Sequence, residues 1–224
     1  MISLKLIILL GILPSIIFTF FSKKELNIKA IILTLLIEFG WAMFMEFSYL
    51  EQNIWYWVPE SSVLYLLARP VEDILFAIIL IIAPISFYLW TTKFFKSSID
   101  IEPQLGIFII IFSIINTLIM SFFNLAGYTR YILIFSFLPL GILTSISKGY
   151  RLKILSLILT TLIVLIFSFI WNSLAVKYNI WGWNRENTIS YIGDIPIDEI
   201  IFVIIVIPSI VGIYLACDKT IRDS

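Results

Sequence analysis

Asn53-Ile54-Trp55-Tyr56-Trp57 returns 126 residues later as Asn179-Ile180-Trp181-Gly182-Trp183. The same offset, without a gap, pairs Glu60 with Glu186 and Tyr65 with Tyr191. It also lays Pro70-Val71-Glu72-Asp73 on Pro196-Ile197-Asp198-Glu199, Phe76 on Phe202, and Tyr88-Leu89 on Tyr214-Leu215. Short Ile/Leu runs coincide by chance in apolar chains, but Asn, Trp, Pro and acid at one register do not. The chain reads as a duplication, and a repeat constrains the fold before any motif does.

The surroundings of the two copies name the solvent. Of 224 residues, 61% are hydrophobic and only 13% charged, about half the charged share of a soluble domain. With a mean hydropathy of +1.06, so much apolar surface points to a lipid bilayer around the chain. This excludes a soluble enzyme, a disordered chain and a secreted disulfide scaffold. Fifteen basic residues balance fifteen acidic ones without an extended basic patch, so nucleic acid is not an expected partner.

Runs of the required length and apolarity predict seven spans: Ile2–Phe21, Ala30–Leu50, Val71–Trp90, Leu105–Leu125, Tyr131–Ile146, Ile154–Val176 and Ile197–Cys217. The first run leads straight into Ser22-Lys23-Lys24 with no small-x-small cleavage site, so it reads as a helix rather than a signal peptide. Basic residues set the orientation. Lys23, Lys24, Lys29, Lys93, Lys96, Lys148, Arg151, Lys153, Lys219 and Arg222 fall on one side; Lys5, Arg69, Arg130, Lys177 and Arg185 fall on the other. That places the N-terminus outside and the C-terminus in the cytoplasm of a multi-pass cell-membrane protein.

Carried forward by 126 residues, spans one to three land on spans five to seven. Three helices are an odd number, so a fused copy would start on the wrong side, and span four restores the sense. The expected fold is an all-α integral membrane protein with seven transmembrane helices in a 3+1+3 parallel repeat. Its parts are residues 1–96, a linker with the spacer helix over 97–127, and residues 128–224.

Chemistry must come from a short inventory. There is no histidine, Cys217 stands alone, and no Gly-rich nucleotide loop occurs, so no metal and no cofactor is expected. Each Pro-acid motif has an ordinary explanation as a helix start, with proline at the first turn and acid at the positive helix end. Yet each carries two adjacent acids, where one would cap. Glu72 stands four residues before Phe76, and Asp198 four before Phe202, so each acid has a ring one turn deeper on its face. An aromatic face stabilises a cation.

The Trp-rich loops Trp55–Trp57 and Trp181–Trp183 fit a membrane interface or a folded, re-entrant loop equally well. Glu38 lies well inside span two, with Trp41, Met45 and Glu46 on its face. It reads either as a functional carboxyl or as one hydrogen-bonded between helices. The second copy has Val164, Trp171 and Asn172 where the first has Glu38, Met45 and Glu46, so the first copy is the richer in acid. Asn116 in span four reads as a helix–helix contact.

Two three-helix units, each with a Trp-rich loop followed by Pro-x-acid-acid-x-x-Phe, resemble the lycopene cyclase domain of carotenoid biosynthesis. Trp171-Asn172, Ile180-Trp181-Gly182-Trp183 and Ile195-Pro196-Ile197-Asp198-Glu199 carry the resemblance, with Arg69–Phe76 as the second copy of the motif. It spans nearly the whole chain; Asp73, Asp198 and Asn172 depart from the family's usual acids. The resemblance implies a membrane isomerase acting on lycopene or a related linear carotenoid. An acid protonates the terminal double bond, the cation closes a six-membered ring, and proton loss leaves a β-ionone end, with no cofactor needed. The implied acid/base set is Glu72, Asp73, Asp198 and Glu199, then Glu46 and Glu38. The implied substrate contacts are Trp41, Trp55, Trp57, Phe76, Asn172, Trp181, Trp183 and Phe202. The bilayer is a partner throughout, and a homo-oligomer stays open.

Rival readings remain. A proton-coupled transporter would share a repeat and buried acids. A membrane prenyltransferase needs clustered Asp for a Mg²⁺-diphosphate, of which Asp194, Asp198 and Glu199 are a thin version. A retinal photoreceptor needs a lysine in the last span, and Ile197–Cys217 has none.

Overall fold

The computed structural model describes residues 5, 8–47, 54–58, 64–66, 69–123 and 127–223, with the side chains of 8, 43–47, 65, 66 and 69 outside the description. Seven α-helices are described. A π-helical turn, Ile8–Ile12, leads into α1 (Leu13–Ser22); α2 is Ile28–Phe47 and α3 is Val71–Thr91. The spacer α4 spans Pro103–Phe122. Then come α5 (Gly127–Ile146), α6 (Ile154–Lys177) and α7 (Ile197–Asp223). Helices α3 to α7 are each long and apolar enough to cross a membrane, and Leu9–Ser22 is a shorter apolar helix.

The helices start and end within a few residues of the expected spans where described, with two exceptions. The seventh runs on to Asp223 rather than ending at Cys217. The fifth helix starts at Gly127 rather than Tyr131. Tyr128, Thr129 and Arg130 lack the apolar character of a span, but tertiary partners hold the first two inside the fold (below). Part of the expected first span, residues 2–4 and 6–7, lies outside the described residues, as does the end of the second beyond residue 47.

Elements 126 residues apart make matching contacts. Strand β2 (Tyr65–Leu66) pairs with β3 (Arg69–Pro70), and β7 (Tyr191–Ile192) pairs with β8 (Ile195–Pro196) in the same register. After each hairpin, the first helical N–H closes onto a carbonyl: Val71 onto Leu64 at 2.9 Å, Ile197 onto Ser190 at 2.8 Å. Gly193, with φ +63°, supplies the positive φ that the tight turn between β7 and β8 requires.

The two Trp-rich segments meet each other. Strand β1 (Trp55–Trp57) runs antiparallel to β6 (Trp181–Trp183), with Trp55 opposite Trp183, Tyr56 opposite Gly182 and Trp57 opposite Trp181. Backbone bonds from Val58 to Ile180 and from Asn184 to Ile54, both 2.9 Å, bracket the pair. A Cβ on Gly182 would meet the Tyr56 hydroxyl at 2.7 Å, so glycine faces tyrosine across this ribbon for want of space.

At the opposite end the same exchange occurs through side chains. The Tyr88 hydroxyl accepts the Lys153 N–H at 2.9 Å, and the Tyr214 hydroxyl accepts the Asn27 N–H at 3.1 Å. Each pair joins the third helix of one half to the start of the second helix of the other, satisfying a donor that helix geometry leaves orphaned. Helix packing agrees: α1 lies on α3 and α5 on α7, while α2 packs on α7 and α6 on α3. Strands β4 (Ile99–Ile101) and β5 (Tyr150–Leu152) pair at this end as well.

The spacer α4 docks on α5 through glycines. A Cβ on Gly106 would strike the backbone of Ser145 and Gly141, and one on Gly141 would meet Ile110 at 2.7 Å. Small residues at such a crossing bring two backbones close, the usual device where lipid replaces water. Asn116 does not join two helices: its side-chain amide donates to the Phe112 carbonyl at 2.8 Å, one turn back on its own helix.

Candidate active site

Both Pro-acid motifs start helices beneath the Trp ribbon, and within each the two acids part company. Asp198 is fully buried and spent on structure. Its Oδ2 accepts the Ile189 N–H at 2.7 Å, and its Oδ1 accepts the Thr129 hydroxyl. It thereby ties the loop before β7 and the start of α5 to the start of α7. Glu199, also buried, turns the other way. Its Oε2 accepts the Tyr128 hydroxyl at 2.6 Å, and the Ser168 hydroxyl lies 3.4 Å from Oε1. The Asn172 side-chain amide donates to Ser168 at 3.1 Å, holding that hydroxyl one helical turn away on α6.

Two grooves meet at Glu199. The first lies between α1, α3, α6 and α7 and includes Pro14, Phe76, Val164, Ser168, Trp171 and Phe202. Its cavity is about 100 Å³. The second lies on the other side of α3 and α7, against α2, α5 and the Trp ribbon, with a cavity of about 130 Å³. Asp73, Tyr128, Tyr131, Phe135, Trp55, Trp181 and Trp183 line it. Phe76, Leu80, Glu199 and Phe202 face both grooves.

Rings dominate these walls, and they brace one another. Phe76 stacks on Trp171, with centroids 5.5 Å apart and planes 19° from parallel, and meets Trp181 edge-on at 5.9 Å. Trp55 presents an edge to Tyr128 at 5.8 Å and to Tyr131 at 5.6 Å. Trp57 and Trp183 flank Trp181 at 5.6 and 5.5 Å. Pairs in this range add rigidity beyond their buried area. A positive centre in either groove would therefore sit among fixed aromatic faces, in a setting poor in water.

The structure brings together Asp73, Glu199, Trp55, Phe76, Trp181, Trp183 and Phe202, with Trp57 and Asn172 directly behind them. It corrects the expected pairing of acid and ring. Phe76 and Phe202 share a groove with Asp73 and Glu199, three residues before them, rather than with Glu72 and Asp198, four before. Asp198 cannot serve both purposes because its oxygens are committed to Ile189 and Thr129. Glu72, its counterpart at the 126 offset, is likewise buried and lies off both grooves.

Glu38 is set apart from this centre. It is buried near Thr34 and Cys217, lines neither groove, and its Oε1 has no hydrogen-bond partner among the described residues. Among the described residues no interhelical bond forms at that oxygen; the nearby Thr34 hydroxyl is given to the Ala30 carbonyl at 2.8 Å. Trp41 packs half-buried against the core, away from the grooves. The side chain of Glu46 falls outside the described residues. Asp194 sits exposed in the turn between β7 and β8, so it forms no cluster with the buried Asp198 and Glu199. Among the described residues, no three His, Cys, Asp or Glu side chains gather as a metal-ligand set.

Sequence reasoning missed Tyr128, Thr129, Ser168, Tyr131 and Phe135. Ser168 and Asn172 stand four apart on α6, a spacing that could have flagged them. Tyr128 had no such signal, because the 126 offset places it on Ile2, which carries no polar group. No protein-family model, curated protein or solved structure matches the chain.

Proposed function

We propose that this chain is an integral membrane isomerase of the lycopene cyclase type, with two three-helix repeats joined by the spacer α4. The observation that carries the reading is the shared groove: Asp73 and Glu199 enter one apolar, ring-walled space, and Tyr128 lines that space while donating to Glu199. Further support comes from the matching contacts of the two halves at one offset, and from five helices of membrane-spanning length and apolarity.

In this reading the substrate is a linear polyene such as lycopene. A carboxyl of the Asp73/Glu199 pair gives its proton to the terminal double bond, leaving a tertiary cation. The nearby double bond attacks that centre, forming a carbon–carbon bond and moving the positive charge into the new ring. A carboxylate of the pair then takes a ring proton, which restores a double bond and leaves a β-ionone end. Atoms and electrons balance without redox change, so no cofactor enters. The ring faces of Phe76, Trp55 and Trp181 stabilise the cation, and the apolar lining keeps out the water that would quench it. Asp198 positions the helix start from which Glu199 projects.

The basic asymmetry orients the protein with the acid pair at the outer end and the C-terminus in the cytoplasm. Expression in a lycopene-accumulating bacterium, followed by pigment chromatography, tests the activity. Ring-bearing products are expected. Unchanged lycopene, together with proton-coupled flux in liposomes, would move the reading to a transporter.

A further inference from the structure

The two grooves are counterparts under the 126-residue relation, yet they differ in reach. The first follows α3 from Phe76 past Leu80 and Pro84 to Phe87. The eleven steps of helix from Phe76 to Phe87 amount to about 16 Å. It ends where Phe18 and Phe87 close edge to face at 4.6 Å. The second does not continue along α7 beyond Phe202.

Residue substitutions between the halves explain the difference. Ile210 and Ile213 stand on α7 where Pro84 and Phe87 stand on α3, and both are packed into the core. On the flanking helix, Phe137 and Leu140 of α5 replace Gly11 and Pro14 of α1. Val164 lines the long groove where the first copy has the buried Glu38. Helices α1 and α6 both line the long groove and are not among the closely packed helix pairs. Both helices carry exposed apolar residues beside it, among them Leu13, Ile16, Leu162 and Ile166.

We propose that the long groove holds the stretch of a linear apolar chain that follows its reacting end, one molecule per protein, admitted sideways from the bilayer between α1 and α6. That stretch, about 16 Å long, lies along α3 from Glu199 toward the Phe18–Phe87 pair, and the rest of the chain leaves sideways between α1 and α6. This rests on the cyclase reading for the identity of the occupant. The commitment to a linear chain comes from the shape: a narrow apolar slot, continuous with the acid at one end and closed by rings at the other. The short groove does not extend along α7 beyond Phe202, so it takes a folded end at the acid pair and offers no slot along the helix for a second tail.

Two variants on different helices test it, Val164→Trp and Gly11→Leu, each narrowing the slot without touching Asp73 or Glu199. The full-length proteins are purified in detergent from lycopene-accumulating cells. Retained linear pigment is read by absorbance, rings formed in the cells by chromatography, and integrity by helical signal and monodisperse elution. Val164→Ala serves as the control that leaves the slot open. Both narrowing variants should stay intact and lose retained lycopene by about tenfold or more, the scale of a steric intrusion into a fitted site. Wild-type levels of lycopene and rings in either intact variant overturn the inference and leave the cyclase reading standing. Wild-type protein that holds lycopene without cyclising it, while the variants lose it, keeps the groove and removes the cyclase reading. Wild-type protein that neither holds nor cyclises lycopene removes both.

Discussion

The Tyr128 hydroxyl at the start of α5 donates to Glu199 Oε2 at 2.6 Å across the interface with α7. At the 126 offset Tyr128 falls on Ile2, which carries no hydroxyl, so the first repeat has no equivalent of this donor. The sequence favours the first copy as the richer in acid, whereas this tyrosine donor belongs to the second.

Glu199→Gln should therefore cost more activity than any other single change among these acids. Loss of a general acid or base costs about 10²–10⁴-fold. Asp73→Asn should fall in the same range, and Tyr128→Phe should cost less, since the carboxyl remains and only its orientation is lost. Pigment analysis in lycopene-accumulating cells measures all three against protein level. Normal cyclisation by Glu199→Gln would remove Glu199 from the chemistry.

Asp198→Ala should act on stability instead. It leaves the Ile189 N–H and the Thr129 hydroxyl without their acceptor. Hydrogen bonds to a charged group are worth about 1.5–3 kcal/mol each. Thr129→Val removes one of the two and should destabilise less. Thermal unfolding in detergent should rank wild type above Thr129→Val and Thr129→Val above Asp198→Ala.

Tyr88→Phe and Tyr214→Phe each remove the acceptor of a helix-start N–H, that of Lys153 and of Asn27 respectively. A net cost of about 1 kcal/mol is expected for each. Because the two contacts are equivalent under the 126 offset, the costs should be similar. A large difference between the two unfolding midpoints would show that the halves do not share this joint equally.

The arrangement of basic residues predicts a topology that reporter fusions can read. Fusions at the N-terminus and C-terminus should report opposite sides, with the C-terminus cytoplasmic. Both ends on one side would mean that one of the seven helices does not cross.

The sequence alone determined the elements and their periodicity. Apolar run length fixes where a helix can cross lipid, and the recurrence of Asn, Trp, Pro and acid at one offset fixes which elements correspond. These are local properties, legible because a long apolar run satisfies its own backbone groups most readily as a helix. Hence the hairpins at Tyr65–Pro70 and Tyr191–Pro196 fall where the repeat puts them. What only the tertiary structure decided is which side chain of each acidic pair faces a groove. Neighbouring residues on a helix point about 100° apart, so Asp198 and Glu199 could exchange roles on sequence evidence. The choice was made by Ile189, Thr129, Tyr128 and Ser168, which reach them from elsewhere in the chain. The unequal grooves have the same origin. They depend on how Gly11, Phe137, Pro84 and Ile210 pack across helices, and a periodic pattern carries no record of that volume.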